Sequence, residues 1–328
     1  MASPSVSNPC DEPGPARRPD GLTATVAICT YSDRRFETLR RSIAAVGDQL
    51  QAGDEIVLVV DHSPELLALA DQQLAGARVL ANEHGRGVSG ARNTAIAAAR
   101  GNIVAFLDDD AVPCPGWLES LLAPYADDEV IGVGGHVTPI WPDTAPAWFP
   151  DEFLWVVGCS YTGLPSGLTP IRNPIGANMS FRRQVFEKAG AFANSLGRVG
   201  AFPIGCEETE LSMRAARAFP DSLIVLQTAS VVEHEVSEDR TRFRYFRHRC
   251  WSEGTSKAVV TRGTGHRNHL STERAYVLST LRLGVIRNLS ATVRGDIFGL
   301  VRALVIIAGT VITGVGFLAH LRTAAKAQ

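Results

Sequence analysis

The chain reads as an α/β fold: a parallel, Rossmann-like sheet with flanking helices, then a basic helical region ending in a hydrophobic membrane helix. Three observations carry this. Apolar, β-branched runs alternate with helical stretches between residues 25 and 107, the pattern of βαβ units. Residues 240–302 hold thirteen Arg and Lys against Glu253, Glu273 and Asp296. Residues 303–319 (ALVIIAGTVITGVGFLA) carry no charge.

The elements follow in order. Residues 1–22 contain Pro4, Pro9, Pro13, Pro15 and Pro19 and no apolar run, so they predict a disordered leader rather than a signal peptide. Residues 25–30 (TVAICT) predict a buried strand. Ser32 or Asp33 can N-cap a helix over 34–46. Residues 55–60 (EIVLVV) predict a second buried strand, and Pro64 opens a helix over 65–74. A short strand follows at 78–81, an Ala-rich helix at 89–100 stopped by Gly101, and a fourth strand at 102–107. Asp108-Asp109-Asp110 stands at the carboxyl end of that strand, where open parallel sheets bind ligands. Further on come a strand at 130–138, an aromatic stretch rich in Pro and Gly, helices at 182–188 and 207–218, and strands at 223–226 and 230–233. Two basic amphipathic stretches cover 240–260 and 272–290.

The 328 residues are 45% hydrophobic and 20% charged, with a net charge of −2. That excludes a disordered, collagenous or disulfide-scaffold class. It fits one large α/β domain with an appendage: leader 1–22, α/β domain 23–240, basic helices 241–296, and a hydrophobic segment 297–320. The six cysteines are widely spaced without a C-x-x-C pair, which argues against zinc and fits single thiols in a reduced compartment. The basic block attracts anions: phosphate, nucleic acid or an anionic membrane. No nucleic-acid fold pattern accompanies residues 240–249 (RTRFRYFRHR), so a membrane surface is the better partner, with a solvated helix face as the alternative. A bilayer span needs about 20 apolar residues and at least about 17. The last segment therefore fits a transmembrane helix, an interfacial helix or a buried one.

Four motifs carry chemistry. Three adjacent carboxylates repel unless something positive sits between them, and Mg²⁺ or Mn²⁺ bridges such carboxylates to phosphates; a solvated acidic turn is the bland alternative. Gly85-Arg86-Gly87-Val88-Ser89-Gly90-Ala91-Arg92-Asn93 runs into a helix N-terminus, an anion site, without the Lys of a Walker loop. Gly205-Cys206-Glu207-Glu208-Thr209-Glu210-Leu211 opens a helix whose dipole favours carboxylates, and one of them can serve as a general base. His234 follows an apolar strand and suits a transition metal or a structural role.

The order CTY, strand-end Asp61, G-x-S-x-A-R-N, L-D-D-D, G-A-N-M-S-F-R, E-E-x-E-L and V-x-H resembles the family 2 glycosyltransferases of the GT-A fold, over residues 25–254. The resemblance implies that Thr30 and Tyr31 line a nucleotide pocket, that Asp61 accepts from uracil, and that Arg92 also contacts the nucleotide. Asp108 would hold ribose beside Asp109, and Asp110 with His234 would bind the metal. Asn178 would sit by the donor sugar or acceptor. Glu208 takes the base position, where the family usually has Asp, with Glu207 as the other candidate. Residues 146–161, with Trp155, are also similar to a branch that includes glucosyl-dolichyl phosphate glucuronosyltransferases. There Arg172 would meet a donor carboxylate.

The function implied is an inverting hexosyltransferase. It moves a sugar from a UDP-sugar, such as UDP-glucuronate or UDP-glucose, to a polyprenyl-phosphate, glycolipid or polysaccharide acceptor at the cytoplasmic face of a membrane. The face follows from cytosolic nucleotide-sugars and the Arg-rich flank. The alternatives are a soluble natural-product acceptor or a non-catalytic nucleotide-sugar binding protein. A nucleotidyltransferase is disfavoured because no Gly-rich, Lys-containing loop follows the first strand.

Overall fold

A computed structural model describes residues 17–194, 205–264 and 276–325. Most of the predicted leader and the start of the second basic stretch lie outside these residues. Arg18 is buried and its Nη1 donates to Asp54 Oδ2 at 2.8 Å, so order begins before residue 23. Two compact units divide the chain.

The sheet unit comprises residues 1–138, 165–194 and 211–234. Its elements are β1 (Ala24–Thr30), α1 (Phe36–Gly47), β2 (Glu55–Val60), α2 (Pro64–Gln73), β3 (Arg78–Ala81), α3 (Val88–Ala98), β4 (Ile103–Asp108), β5 (Ala111–Pro113), α4 (Trp117–Leu122), β6 (Val130–Ile140), β7 (Leu168–Pro170), β8 (Asn178–Arg182) and α5 (Arg183–Ala189). After them come α6 (Glu207–Ala218) and β9 (Leu223–Glu235). Three of these run a few residues into the second unit. The strand order is β3-β2-β1-β4-β8-β6-β9-β5, with β7 beside β9.

The parallel expectation holds for the first four strands, β3-β2-β1-β4. Past β4 the sheet is mixed: β8 runs antiparallel to β4, and β6 antiparallel to β8. Periodicity shows that a strand is buried, not which way it runs. The two predicted strands at 223–226 and 230–233 are one continuous strand, β9. Ser63 caps α2 through its side chain, with Pro64 in the first turn. The core packs Ala27, Val57, Val59, Val104 and Phe106 of the sheet against Ala91 and Ala95 of α3, Val185 and Phe186 of α5, and Leu211 and Ala215 of α6. Losing a side chain such as Phe106 there costs about 3–5 kcal/mol.

The helical unit comprises residues 139–164, 195–210 and 235–328. A 3₁₀ segment spans Asp151–Val157, α7 spans Phe243–Thr264, and a π-helical turn Tyr276–Leu281 leads into α8 (Arg282–Val293) and then α9 (Ile297–Ala325). Trp148, Phe149 and Phe153 pack edge-on or tilted against Phe246 of α7 at 5.2–5.8 Å. Part of the aromatic stretch therefore builds a core of its own. Four cysteines are free thiols, but Cys114 is disulfide-bonded. The reading of six single cysteines does not hold for it.

Candidate functional site

Strand register brings the site together. The parallel pairings set Thr30 beside Val60 and Cys29 beside Asp108. The carboxyl ends of β1, β2 and β4 thus form one rim, with Thr30, Asp61 and the aspartate run along it.

Asp61 is held before any ligand arrives. Asn82 Nδ2 donates to its Oδ1 at 2.7 Å, His62 Nδ1 lies 2.7 Å from the same oxygen, and the Gly87 N–H donates to Oδ2 at 2.9 Å. Gly87 takes φ 120, a region that suits glycine, and a Cβ on Gly90 would fall 1.9 Å from the Gly85 carbonyl oxygen. The glycines let the loop fold tightly onto Asp61. Arg92, on α3, is buried. Its Nη2 donates to Asp108 Oδ1 at 3.3 Å and to the Gly176 carbonyl at 3.1 Å. The guanidinium lies 5.8 and 5.4 Å from the rings of Phe106 and Phe192. Arg92 therefore steadies Asp108 from behind.

The three aspartates point to different partners. Asp108 meets Arg92. Asp109 turns inward, accepting from Thr30 Oγ1 at 2.7 Å and Arg35 Nη1 at 2.6 Å. Asp110 lies 3.0 Å from the same Arg35 nitrogen and 3.1 Å from His234 Nε2. Burial pushes Asp109 up to about 6, with Arg35 pulling down and Asp110 pushing up. Burial also works against the charge on Arg35, yet Asp110 and Asp109 outweigh it and hold the guanidinium well above its ordinary value.

His234 comes from the far side of the sheet. The short pairing of β5 with β9 sets Ala111 opposite His234, directly after Asp110. Ligand atoms of Asp108, Asp110 and His234 all lie within 4.8 Å of one another. Two carboxylate oxygens and one imidazole nitrogen at that spacing fit a single divalent cation such as Mg²⁺ or Mn²⁺.

The other expected residues fall as follows. Tyr31 is 52% exposed, beside the Arg35 guanidinium. Asn178 is wholly buried: its Oδ1 accepts from Trp117 Nε1 at 2.9 Å, and its Nδ2 donates to the carbonyls of His136 and Ser230 at 3.0 and 2.9 Å. It is a post inside the sheet. Arg172 is half-buried and its Nε donates to Asn173 Oδ1 at 2.9 Å. Trp155 belongs to the helical unit, where its Nε1 donates to the Tyr276 hydroxyl at 3.3 Å. Glu207 is buried and Glu208 half-buried in the first turn of α6. Cys206 ahead of them takes φ 73, and the Gly205 N–H donates to Ser256 Oγ of α7 at 3.1 Å. A non-glycine residue in that conformation carries strain, so the entry to this turn is tightly set. Burial and the Glu253 charge hold the Cys206 thiol well above its ordinary value.

Two residues were missed from sequence. Arg35 neutralises the aspartates, and Asn82, after β3, clamps Asp61. The signal for Arg35 was available: a cation five residues beyond a strand end that faces three carboxylates.

A family model for glycosyl transferase family 2 matches residues 25–190. The chain belongs to glycosyltransferase family 2. This transferase is 31% identical over 243 residues to the glucosyl-dolichyl phosphate glucuronosyltransferase of Haloferax volcanii, spanning 73% of the chain and 77% of that relative. It superposes with TM-score 0.55 on the mannosyltransferase PcManGT from Pyrobaculum calidifontis, solved with GDP-Man and Mn²⁺, at 17% identity over 93% of this chain and 91% of the other. A GalNAc-transferase solved with UDP, GalNAc and Mn²⁺ superposes at TM-score 0.50 and 17% identity, covering 78% of this chain and 53% of its own. The enzyme is thus a hexosyltransferase of the GT-A fold that uses nucleotide-sugar donors.

Proposed function

We propose that the enzyme transfers a sugar from a UDP-sugar, with inversion, to a hydroxyl of a lipid-linked acceptor at the cytoplasmic face of a membrane. The observation that carries the donor half is the rim of Thr30, Asp61 and Asp108 beside the Asp110–His234 pair. Asp61, fixed by Asn82, His62 and Gly87, presents an acceptor to a base N–H, as uracil offers. Thr30 and Tyr31 bound that pocket, and Asp108, braced by Arg92, meets the ribose. Asp108, Asp110 and His234 would hold Mg²⁺ or Mn²⁺, which when bound neutralises the diphosphate as it leaves. Arg35 pairs with both Asp109 and Asp110 and offsets part of their mutual repulsion. Glu208 takes the proton from the acceptor hydroxyl as its oxygen attacks the anomeric carbon, and Glu207 is the neighbouring candidate. Asn178 acts from inside the sheet, keeping the strands under the sugar site in place.

The acceptor half is supported by the likeness to the Haloferax volcanii enzyme, whose name specifies a dolichyl-phosphate glycolipid. UDP-glucuronate is accordingly the first donor to test, with Arg172 as the partner for its carboxylate, Trp155 by the acceptor, and UDP-glucose as the control. Nucleic acid has no part in this reading.

The test is metal-dependent UDP release from a panel of UDP-sugars, with and without extracted polyprenyl-phosphate glycolipid, in wild type and Asp110→Ala. Release that needs metal, lipid and Asp110 is the expected result. Absence of UDP-sugar binding in the presence of metal overturns the donor assignment. Equal turnover with soluble sugars overturns the lipid acceptor.

A further inference from the structure

α9 is long and apolar enough to cross a bilayer, over Ile297–Leu321. Its packing within the helical unit argues against a crossing. Gly309 is the midpoint of that segment, and a Cβ there would meet the ring of Phe153 at 2.5 Å and of Phe246 at 2.9 Å. A Cβ on Gly254 of α7 would fall 2.1 Å from the Thr313 carbonyl, and one on Gly316 would fall 2.5 Å from the Trp251 carbonyl. The middle and far half of α9 therefore lie in glycine-mediated contact with α7. That helix carries Arg247, His248, Arg249, Glu253 and Lys257 over the same turns. Crossing the membrane in this packing would bring those charges toward the hydrocarbon midplane. An unpaired charge costs about 2.5–3.5 kcal/mol there even on the mildest scales, and Glu253 can pair with only some of these cations.

The opposite side of α9 is bare. Ile297, Leu300, Val301, Leu304, Ile307, Val311, Val315 and Leu318 are each 39–76% exposed, at intervals of three or four residues that make one helical stripe. α8 adds Leu283, Ile286, Leu289 and Val293, 42–89% exposed, with exposed Arg282 and Arg294 close by in sequence. Gly299 lets the two helices close, since a Cβ there would fall 2.4 Å from the Asn288 carbonyl. An apolar stripe of more than 20 residues is about 30 Å long, and with the α8 residues beside it forms the kind of contiguous exposed patch that marks an interaction or membrane site.

We propose that α8 and α9 form a monotopic docking face that lies in one leaflet of an anionic bilayer. Its exposed stripes enter the acyl boundary, its arginines meet lipid phosphates, and its other side stays packed on α7. The inference refines the membrane association proposed above and stands independently of the transferase reading. Cations beside apolar stripes select this occupant, because they complement anionic headgroups.

The test uses the full chain and no activity assay. Flotation with vesicles of phosphatidylcholine containing a quarter phosphatidylglycerol should retain wild type. Leu304→Asp with Val311→Asp should reduce retention at least tenfold while far-UV circular dichroism is unchanged. In inverted membranes from expressing cells, Arg294→Cys and His320→Cys should both react with a membrane-impermeant maleimide from the same side. Reaction of the two from opposite sides overturns the proposal in favour of a span. Undiminished flotation of the double variant overturns it, and so does a lipid-free dimer that buries the stripe and fails to float. If vesicles bind but UDP-sugars do not, the UDP-sugar donor proposed above fails and this inference survives.

Discussion

The sheet unit and the helical unit break the ordinary rule of burial in opposite directions. In the sheet unit, Arg92, Asp109, Asp110 and His234 are at most 4% exposed; long charged side chains are seldom so hidden. In the helical unit, Leu278, Leu283, Val293 and Ile297 are 63–89% exposed, although Leu, Val and Ile belong inside. The buried charges are tolerated because each has a named partner. Among the described residues nothing covers these apolar side chains. A chain sustains the first departure by building a network, and the second only if something outside covers it. Departures of both kinds mark where a protein meets its ligands.

The largest expected effect tests the buried network. Asp110→Ala should lower turnover on the order of 10³-fold, the several kcal/mol a Lewis acid supplies. Chelation should do the same to wild type and nothing further to the variant, measured as released UDP. Next, Glu208→Gln should cost about 10²-fold in kcat, the lower end for a positioned base, with little change in donor affinity by calorimetry. If Glu207→Gln proves the more damaging, the two roles exchange.

Arg35→Met separates charge relief from chemistry. It leaves two buried carboxylates without their cation and should lower stability by about 3 kcal/mol, as loss of one partner of a buried pair does. Saturating Mn²⁺ should restore part of that loss in a thermal melt, because the ion replaces the missing charge. A variant as stable as wild type without metal would show that the network is not what keeps the charges inside.

The smallest effect concerns His136. Burial holds its pKa below the ordinary value of 6.5. The unfolded chain therefore binds the proton more readily, and the stability contribution is fully present above about pH 6.5 and shrinks as pH falls through that value. Urea midpoints at pH 7.5 and 5.5 should differ less in His136→Asn than in wild type.

Much of this was legible in the residues. Apolar runs and their Pro, Gly and Ser boundaries placed β2 and β3 at their observed ends, and the aspartate run stood at a strand end as expected. Three things were not legible. Strand direction past β4 leaves no periodic trace. The three-residue β5 is too short to show one, though it brings His234 to Asp110. Asn178 was legible as special but not as buried, because sequence cannot say whether a strand-end side chain faces a cavity or a packed helix such as the one that carries Trp117. Arg35 and Asn82 escaped because their partners lie 74 and 21 residues away along the chain.

The β5–β9 pairing also bears on how the enzyme is made. The residues matched by the family model end at 190, and the aspartates are in place well before that, but the imidazole at 234 is not. At roughly 5–20 residues per second of synthesis, several seconds separate Asp110 from His234, residues that stand 3.1 Å apart in the finished fold. Arg35, which pairs with Asp109 and Asp110 in the finished fold, is made before either. The Asp110–His234 pair is thus a late-made feature, completed only when β9 lies against β5.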